Sequence, residues 1–303
     1  MSSRPNLLQT ALLYETGAAP DLGATLAAFL TEETAQFNRA YHVLDMNGAS
    51  HFRCMGPDEL TVFVERVNGP AHRDAFAPAL GATFNQLFTP DAAMIIDRHG
   101  GHVLINAHHG SATAAPQFMG SGVGGAPETQ SLGGYLDRIG VVGRLAALLT
   151  ERSDPLLGHW THTDVLAHPK NALEEMRTVG PTYLQVHPLP FRGANTRPEE
   201  GVAGFVTHGA AYFIGGEVRM RATTIPWTSV YDHVLQFIRA GVAQNGVRPV
   251  ADGALFGDAA AGFIYRVHHN GAPVRNAGAV TRCYDLEPLY NAAAGFRAPG
   301  FAG

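Results

Sequence analysis

The segment His102-Val103-Leu104-Ile105-Asn106-Ala107 is mostly apolar over the length of one strand, and it reads as a central strand of a sheet. Toward the N-terminus, Phe76, Leu80, Phe84, Leu87 and Phe88 recur in helical phase, with Pro78 in the first turn of that helix. Before it, Leu60, Val62 and Val64 alternate with Thr61, Phe63 and Glu65, the pattern of a strand with two unlike faces. Tyr41 to Met46 is a short strand closed by the turn signal Asn47-Gly48. Pro20-Asp21 opens a helix whose Leu22, Leu26, Phe29, Leu30 and Phe37 fall near the 3.6-residue period, and Leu7 to Tyr14 is a buried strand. Strand, helix, strand, strand, helix, strand is the order of a ferredoxin-like αβ-plait, expected over residues 1–112.

On the C-terminal side the composition changes. Gly, Ser, Ala and Pro dominate residues 110–130, which read as a loop or linker, assigned to 113–130. Gly120, Gly122 and Gly125 match G-x-G-x-x-G, but a dinucleotide fingerprint follows directly on a strand, and Ala, Pro and Gln precede this one. The loop is the better reading.

A second, elaborated plait is expected over residues 131–290. It opens with a helix from Leu132 to Leu149, whose stripe is Leu132, Tyr135, Ile139 and Val142. Gly133, Gly134, Gly140 and Gly143 each cost it about 1 kcal/mol relative to Ala, so packing must hold it and a neighbour can come close. A strand at Leu156–Thr161 and a short helix from Pro169 follow. Strands are then expected at Tyr183–Leu189, Val202–His208 and Ala211–Thr224. Pro226 starts the clearest helix of the chain, with Trp227, Val230, Tyr231, Val234, Phe237 and Ile238 on its apolar stripe and Asn245-Gly246 as its stop. Gly262 to His268 is a last strand, and a Gly/Ala-rich tail over 291–303 is expected to fray. The fold class is therefore α+β, two plait lobes with antiparallel sheets.

Bulk composition narrows the function. The chain has 303 residues, enough to bury about three quarters of its unfolded surface without metal or disulfide staples. Hydrophobic residues make up 46% and charged residues 16%, a sparsely charged surface. Net charge is −5, with no cluster of Lys and Arg, which argues against nucleic acid as a partner. Two cysteines, Cys54 and Cys283, are too few for a secreted disulfide scaffold, although one bridge remains open. Residues 1–6 lack the apolar core of a signal peptide, and no apolar run approaches the roughly 18 residues that span a bilayer. A cytoplasmic address and no membrane partner are expected.

Three segments carry a family resemblance: Asp97-Arg98-His99-Gly100-Gly101-His102-Val103-Leu104-Ile105-Asn106, Gly158-His159-Trp160, and Thr207-His208-Gly209 through Tyr212-Phe213-Ile214-Gly215-Gly216-Glu217, followed by the Trp227 helix. In this order they resemble an uncharacterised bacterial family, one of the domains of unknown function. None is a catalytic signature. The resemblance implies accessory proteins of bacterial secretion or contact-dependent competition systems, and it assigns no residue a role.

Histidine is the unusual residue: there are 15, against 21 Lys and Arg. His99, His102, His108 and His109 bracket the last strand of the first lobe, His159 and His162 bracket Trp160, and His268-His269 ends the last strand of the second. Neutral imidazole is the commonest metal ligand. Three-residue spacing on extended backbone, as in His99/His102 and His159/His162, nevertheless sends two side chains to opposite faces. H-E-x-x-H and C-x-x-C are absent. These four histidines are kept as metal candidates, with hydrogen-bonded strand-end histidines the preferred reading. No cofactor is expected, with a transition metal or haem as the alternative.

Glu217, Arg219 and Arg221 alternate with Val218, Met220 and Ala222. Two arginines on one strand face are candidates for binding an anionic group, with an ordinary solvated strand face the preferred reading. Glu217 in a groove between the lobes, with His208 beside it, could do acid–base work, and the pair is the catalytic candidate. Trp160 and Trp227 read as core or inter-lobe packing, with Trp160 also a candidate in a binding surface. No nucleophile elbow or phosphate loop is present, and both cysteines read as ordinary thiols. The leading expectation is a non-enzymatic protein that presents a groove or sheet edge to a protein partner, with homo-oligomers open. The rival is a metal- or haem-dependent enzyme that draws histidines from both lobes.

Overall fold

A computed structural model of the chain describes residues 4–5, 7–18, 20–48, 50–109, 131–178, 180, 182, 184–192, 203–244, 251–269, 274–276 and 279–301. The linker expected at 113–130 and the Asn245-Gly246 stop lie outside the described residues, as does the side chain of Trp227. Among the described residues are eight α-helices and sixteen strands, in two compact units that divide between residues 185 and 186.

The first unit runs β1 (Leu8–Tyr14), α1 (Leu22–Phe37), β2 (His42–Asn47), β3 (His51–Met55), β4 (Leu60–Val67), α2 (Ala77–Gly81), α3 (Thr83–Phe88), α4 (Ala92–Arg98), β5 (Gly101–His109), α5 (Leu132–Ser153), β6 (Leu157–Trp160), β7 (Val165–Ala167) and α6 (Pro169–Thr178). Its seven strands form one antiparallel sheet in the order β2-β3-β4-β5-β1-β6-β7. β5 is central, as its apolar run suggests: eight of its nine residues are buried. The plait is not formed. A plait sets its first strand between its third and fourth, whereas here β5 separates β1 from β4 and an unforeseen β3 lies between β2 and β4.

The boundary expected near residue 131 also moves. β6 hydrogen-bonds to β1, and α5 packs on β5 and β1, so both complete the first unit. The side chain of Ser131 caps α5 by accepting from the Gly134 N–H. Gly143 has the close neighbour its helix suggests: a Cβ there would lie 2.7 Å from Met176 Cε on α6. The helix expected from Phe76 to Phe88 breaks in two at Ala82, whose backbone is extended (ψ 122°), and α4 follows. On one sheet face Ala11, Leu13, Leu104, Leu157 and Leu166 pack against Phe76, Ala79, Ala92, Ile95 and Ile96.

The second unit runs β8 (His187–Arg192), β9 (Ala203–His208), α7 (Ala210–Ile214), β10 (Glu217–Thr223), α8 (Trp227–Ala243), β11 (Leu255–Asp258), β12 (Phe263–His269), β13 (Val274–Asn276), β14 (Ala279–Thr281), β15 (Cys283–Asn291) and β16 (Phe296–Arg297). The sheet order is β11-β12-β15-β10-β9-β8; β16 pairs with β15, and β13-β14 is a separate hairpin. β10 and β15 are parallel and the other pairs antiparallel. This is not a plait order either. The long strand expected from Ala211 is divided by Gly215 (φ 76°) into α7 and β10. Residues 292–301, expected to fray, turn back so that Phe296 and Arg297 pair with Asn291 and Tyr290. The α8 stripe is as read, with Val230, Tyr231, Val234, Phe237 and Ile238 buried.

Candidate functional site

A sheet edge exposes a row of unpaired backbone N–H and C=O groups, and a folded protein normally guards it. In the first unit β7 is guarded. The Asn85 carboxamide accepts from the Leu166 N–H (2.9 Å) and donates to the Asp164 carbonyl (2.6 Å), while the Thr89 hydroxyl donates to the Leu166 carbonyl (2.8 Å). In the second unit β8 carries Pro188 and Pro190, which have no N–H to offer, and the opposite edge strand β11 is only four residues long.

β2 is different. Among the described residues it pairs only with β3, and all six of its residues are exposed. Val43, Leu44 and Met46 are 46%, 52% and 54% exposed, so the edge is apolar as well as uncapped. Leu44 is a bulge, since Val43 faces Cys54 and Asp45 already faces Arg53. The one charge of the strand, Asp45, bonds to His51 Nε2 at 3.0 Å. The sequence shows Tyr41–Met46 as a strand, but whether a strand is an edge depends on sheet order. The only local signal is that Val43, Leu44 and Met46 do not alternate as a half-buried strand would.

The residues singled out from the sequence serve the fold. Glu217 is buried at the start of β10, where its carboxylate accepts from the Thr207 hydroxyl (2.7 Å) and the N–H groups of Gly209 (3.1 Å) and Ala210 (3.2 Å). Thr207 and His208 are successive strand residues and point to opposite sides. With Thr207 taken by Glu217, the His208 ring lies 5.0 Å from that of His187, its partner in register. The hydrogen bonds of Glu217 thus run to Thr207, Gly209 and Ala210, which commit its carboxylate to the fold. Arg219 makes a two-pronged ion pair with Asp285, its register partner on β15. Arg221 lies 3.6 Å from Glu287, which also bonds to His268 at 2.9 Å and lies 3.8 Å from Arg266. Both arginines are thus committed to carboxylates of their own sheet. Trp160 is 1% exposed, packed with Phe84, Val165, Ala172 and Leu184, and so presents no binding surface.

The histidines separate in the same way. His99 Nε2 accepts from the Ala71 N–H (2.8 Å) and Nδ1 donates to the Ile96 carbonyl, while His102 Nδ1 donates to the Gly69 carbonyl (3.1 Å). The pair clasps the 69–71 turn. Between them Gly100 is required, because a Cβ there would stand 2.7 Å from Thr16 Cα. His159 is fully buried, its ring 5.2 Å from that of Phe76, and His162 bonds to Gln185. Among the described residues no three His, Cys, Asp or Glu side chains converge as metal ligands, and no helix is long and apolar enough to cross a membrane. Cys54 and Cys283 are free thiols, both pushed up to about 12 by burial.

Burial holds the imidazoles of His99, His102, His108, His109 and His233 below their ordinary titration range. A lowered folded value means that the unfolded chain binds the proton more readily. Their contribution is therefore present above about pH 6.5 and is lost as pH falls below it. Glu217 acts in the opposite sense: burial raises it to about 7, so its contribution is lost as pH rises from 4.5 through about 7. We expect Glu217→Gln to steepen the fall of Tm between pH 7 and pH 5, because the opposing carboxyl is gone. A Tm of that variant that rises on acidification would refute the assignment.

No family model, curated protein sequence or solved structure matches the chain.

Proposed function

We propose that the chain is a non-enzymatic accessory protein that recognises a protein partner by adding one extended segment of that partner to β2. The observation that carries this reading is the uncapped, apolar edge of β2 in a sheet whose other edge is closed by Asn85 and Thr89. Strand addition takes its affinity from backbone hydrogen bonds and its selectivity from the alternate side chains. The secretion or contact-dependent competition setting implied by the resemblance, and a cytoplasmic address, belong to the same proposal.

The occupant is a segment of a different protein. A symmetric antiparallel pairing of two copies centred on Asp45 sets two carboxylates opposite each other. Centred on Leu44, it sets one bulge against another. A photo-crosslinking residue at position 43, introduced in producing cells, is expected to form an adduct with an extended segment of another protein. The adduct should vanish when Leu44→Lys is added, and it should be absent with the crosslinker at the exposed position 252. An adduct of the chain with itself, or none above that control, would overturn the reading.

A further inference from the structure

One face of the first sheet holds polar atoms that the fold does not use. Register aligns Arg53 of β3, Phe63 of β4 and Asn106 of β5 in one row, and Thr61 and His108 in the next. Residues opposite one another share a face, as do residues two apart on a strand, so all five point the same way. Asn106 is fully buried; its Oδ1 accepts from Gln9 Nε2 at 2.8 Å, while its Nδ2 has no hydrogen-bond partner among the described residues. His108 is 7% exposed, and neither ring nitrogen has one. Each such atom costs about 1–3 kcal/mol, and buried polar groups are paired in the large majority of cases.

Beside them, Arg53 lays its guanidinium over the Phe63 ring, 5.3 Å from the centroid, on the strand directly next to Asn106. It makes no ion pair with a carboxylate among the described residues. Asp45, its register neighbour, is bonded to His51. After burial, Arg53, His109 and Arg138 are the causes that hold the His108 imidazole below its usual range, so the region is one of positive potential. Asp45, in the row of Arg53, and Glu65, facing Leu104 one row away, are the acidic groups that register places on this face, and they limit that potential. The half-buried Arg53 and Met55 mark the open side.

We propose that this face binds a small oxyanion, a carboxylate or phosphate group, held by the Arg53 guanidinium, the Asn106 Nδ2–H and a ring N–H of His108. These groups supply donors from β3 and β5 on one face of the sheet, either side of Phe63, and charge-assisted hydrogen bonds to an oxyanion are stronger than neutral ones. A bound anion offsets the surrounding cations and favours the imidazolium of His108.

The test is a titration of the purified chain with inorganic phosphate and, separately, with acetate, followed by the ring resonances of His108. The expected result is a saturable shift that raises the pH midpoint of His108, with the tighter of the two anions identifying the source. Arg53→Met keeps a long side chain over Phe63 and should bind roughly tenfold more weakly, about 1.4 kcal/mol, at an unchanged Tm. No saturable shift of His108 up to roughly 20 mM of either anion, a range that covers millimolar dissociation constants, would overturn the assignment. Equal affinity in Arg53→Met would overturn it as well.

Discussion

Arg144→Met is expected to lower the unfolding free energy by about 3 kcal/mol, the low end of the range for breaking a buried ion pair. Glu33 lies on the face of α1 turned to α5, its side chain wholly buried, and Arg144 Nε donates to its Oε1. The second carboxylate oxygen has no hydrogen-bond partner among the described residues, so the arginine is the principal group that makes this charge tolerable. Its removal strands a carboxylate between two helices. Arg144 retains 22% side-chain exposure, which admits some water and sets the estimate low in the range. Glu33→Leu combined with Arg144→Met should recover to within about 1 kcal/mol of the parent, because an apolar pair needs no compensation. Urea unfolding of the three variants decides it; a double variant as unstable as the single would contradict the account.

Asn85→Ala should be nearly as damaging, at about 2–4 kcal/mol, because it orphans several backbone groups at once. The carboxamide donates to the carbonyls of Ala79 (2.7 Å) and Asp164 and accepts from the Leu166 N–H. It ties α2, α3 and the outer edge of β7 together at a residue only 2% exposed. Amide exchange at Leu166 should speed up with the loss of stability measured in urea. Unchanged exchange at Leu166 would mean that the edge is held by something other than Asn85.

Much of the secondary structure was legible because each element had its own period. α1, α5 and α8 carry apolar stripes, and β1 and β5 each hold an apolar run, at residues 11–14 and 103–105. What was lost lay in non-local pairing. β15 is one of the two central strands of the second sheet, yet Cys283–Asn291 includes Asp285, Glu287 and Pro288 and has no strand-like alternation. Its buried Asp285 is made tolerable by Arg219, 66 positions earlier in the chain. The plait failed for the same reason, since element order along the chain does not decide which strand lies beside which.

The candidate sites show the same limit. Glu217, Arg219 and Arg221 do alternate along β10, but the carboxylate partners of the two arginines stand on β15. The three segments that carry the family resemblance turned out to be closures of the fold. His99, Gly100 and His102 clasp a turn; Gly158 makes room for the ring of Trp160, which would stand 2.6 Å from a Cβ there; Thr207 and Gly209 hold the carboxylate of Glu217. His108, by contrast, is one of four histidines around β5 in the sequence, and what sets it apart is burial with no hydrogen-bond partner among the described residues.

Hydrogen–deuterium exchange across β2 tests the central claim most directly, with the chain alone and with a synthetic peptide of the partner segment identified through position 43. Strand addition engages only the N–H groups that point away from β3, and these alternate along the strand. With peptide, alternate amides between His42 and Asn47 should slow strongly, and the others, already bonded to β3, should change little. Uniform slowing, or protection on another element with β2 unaltered, would contradict strand addition.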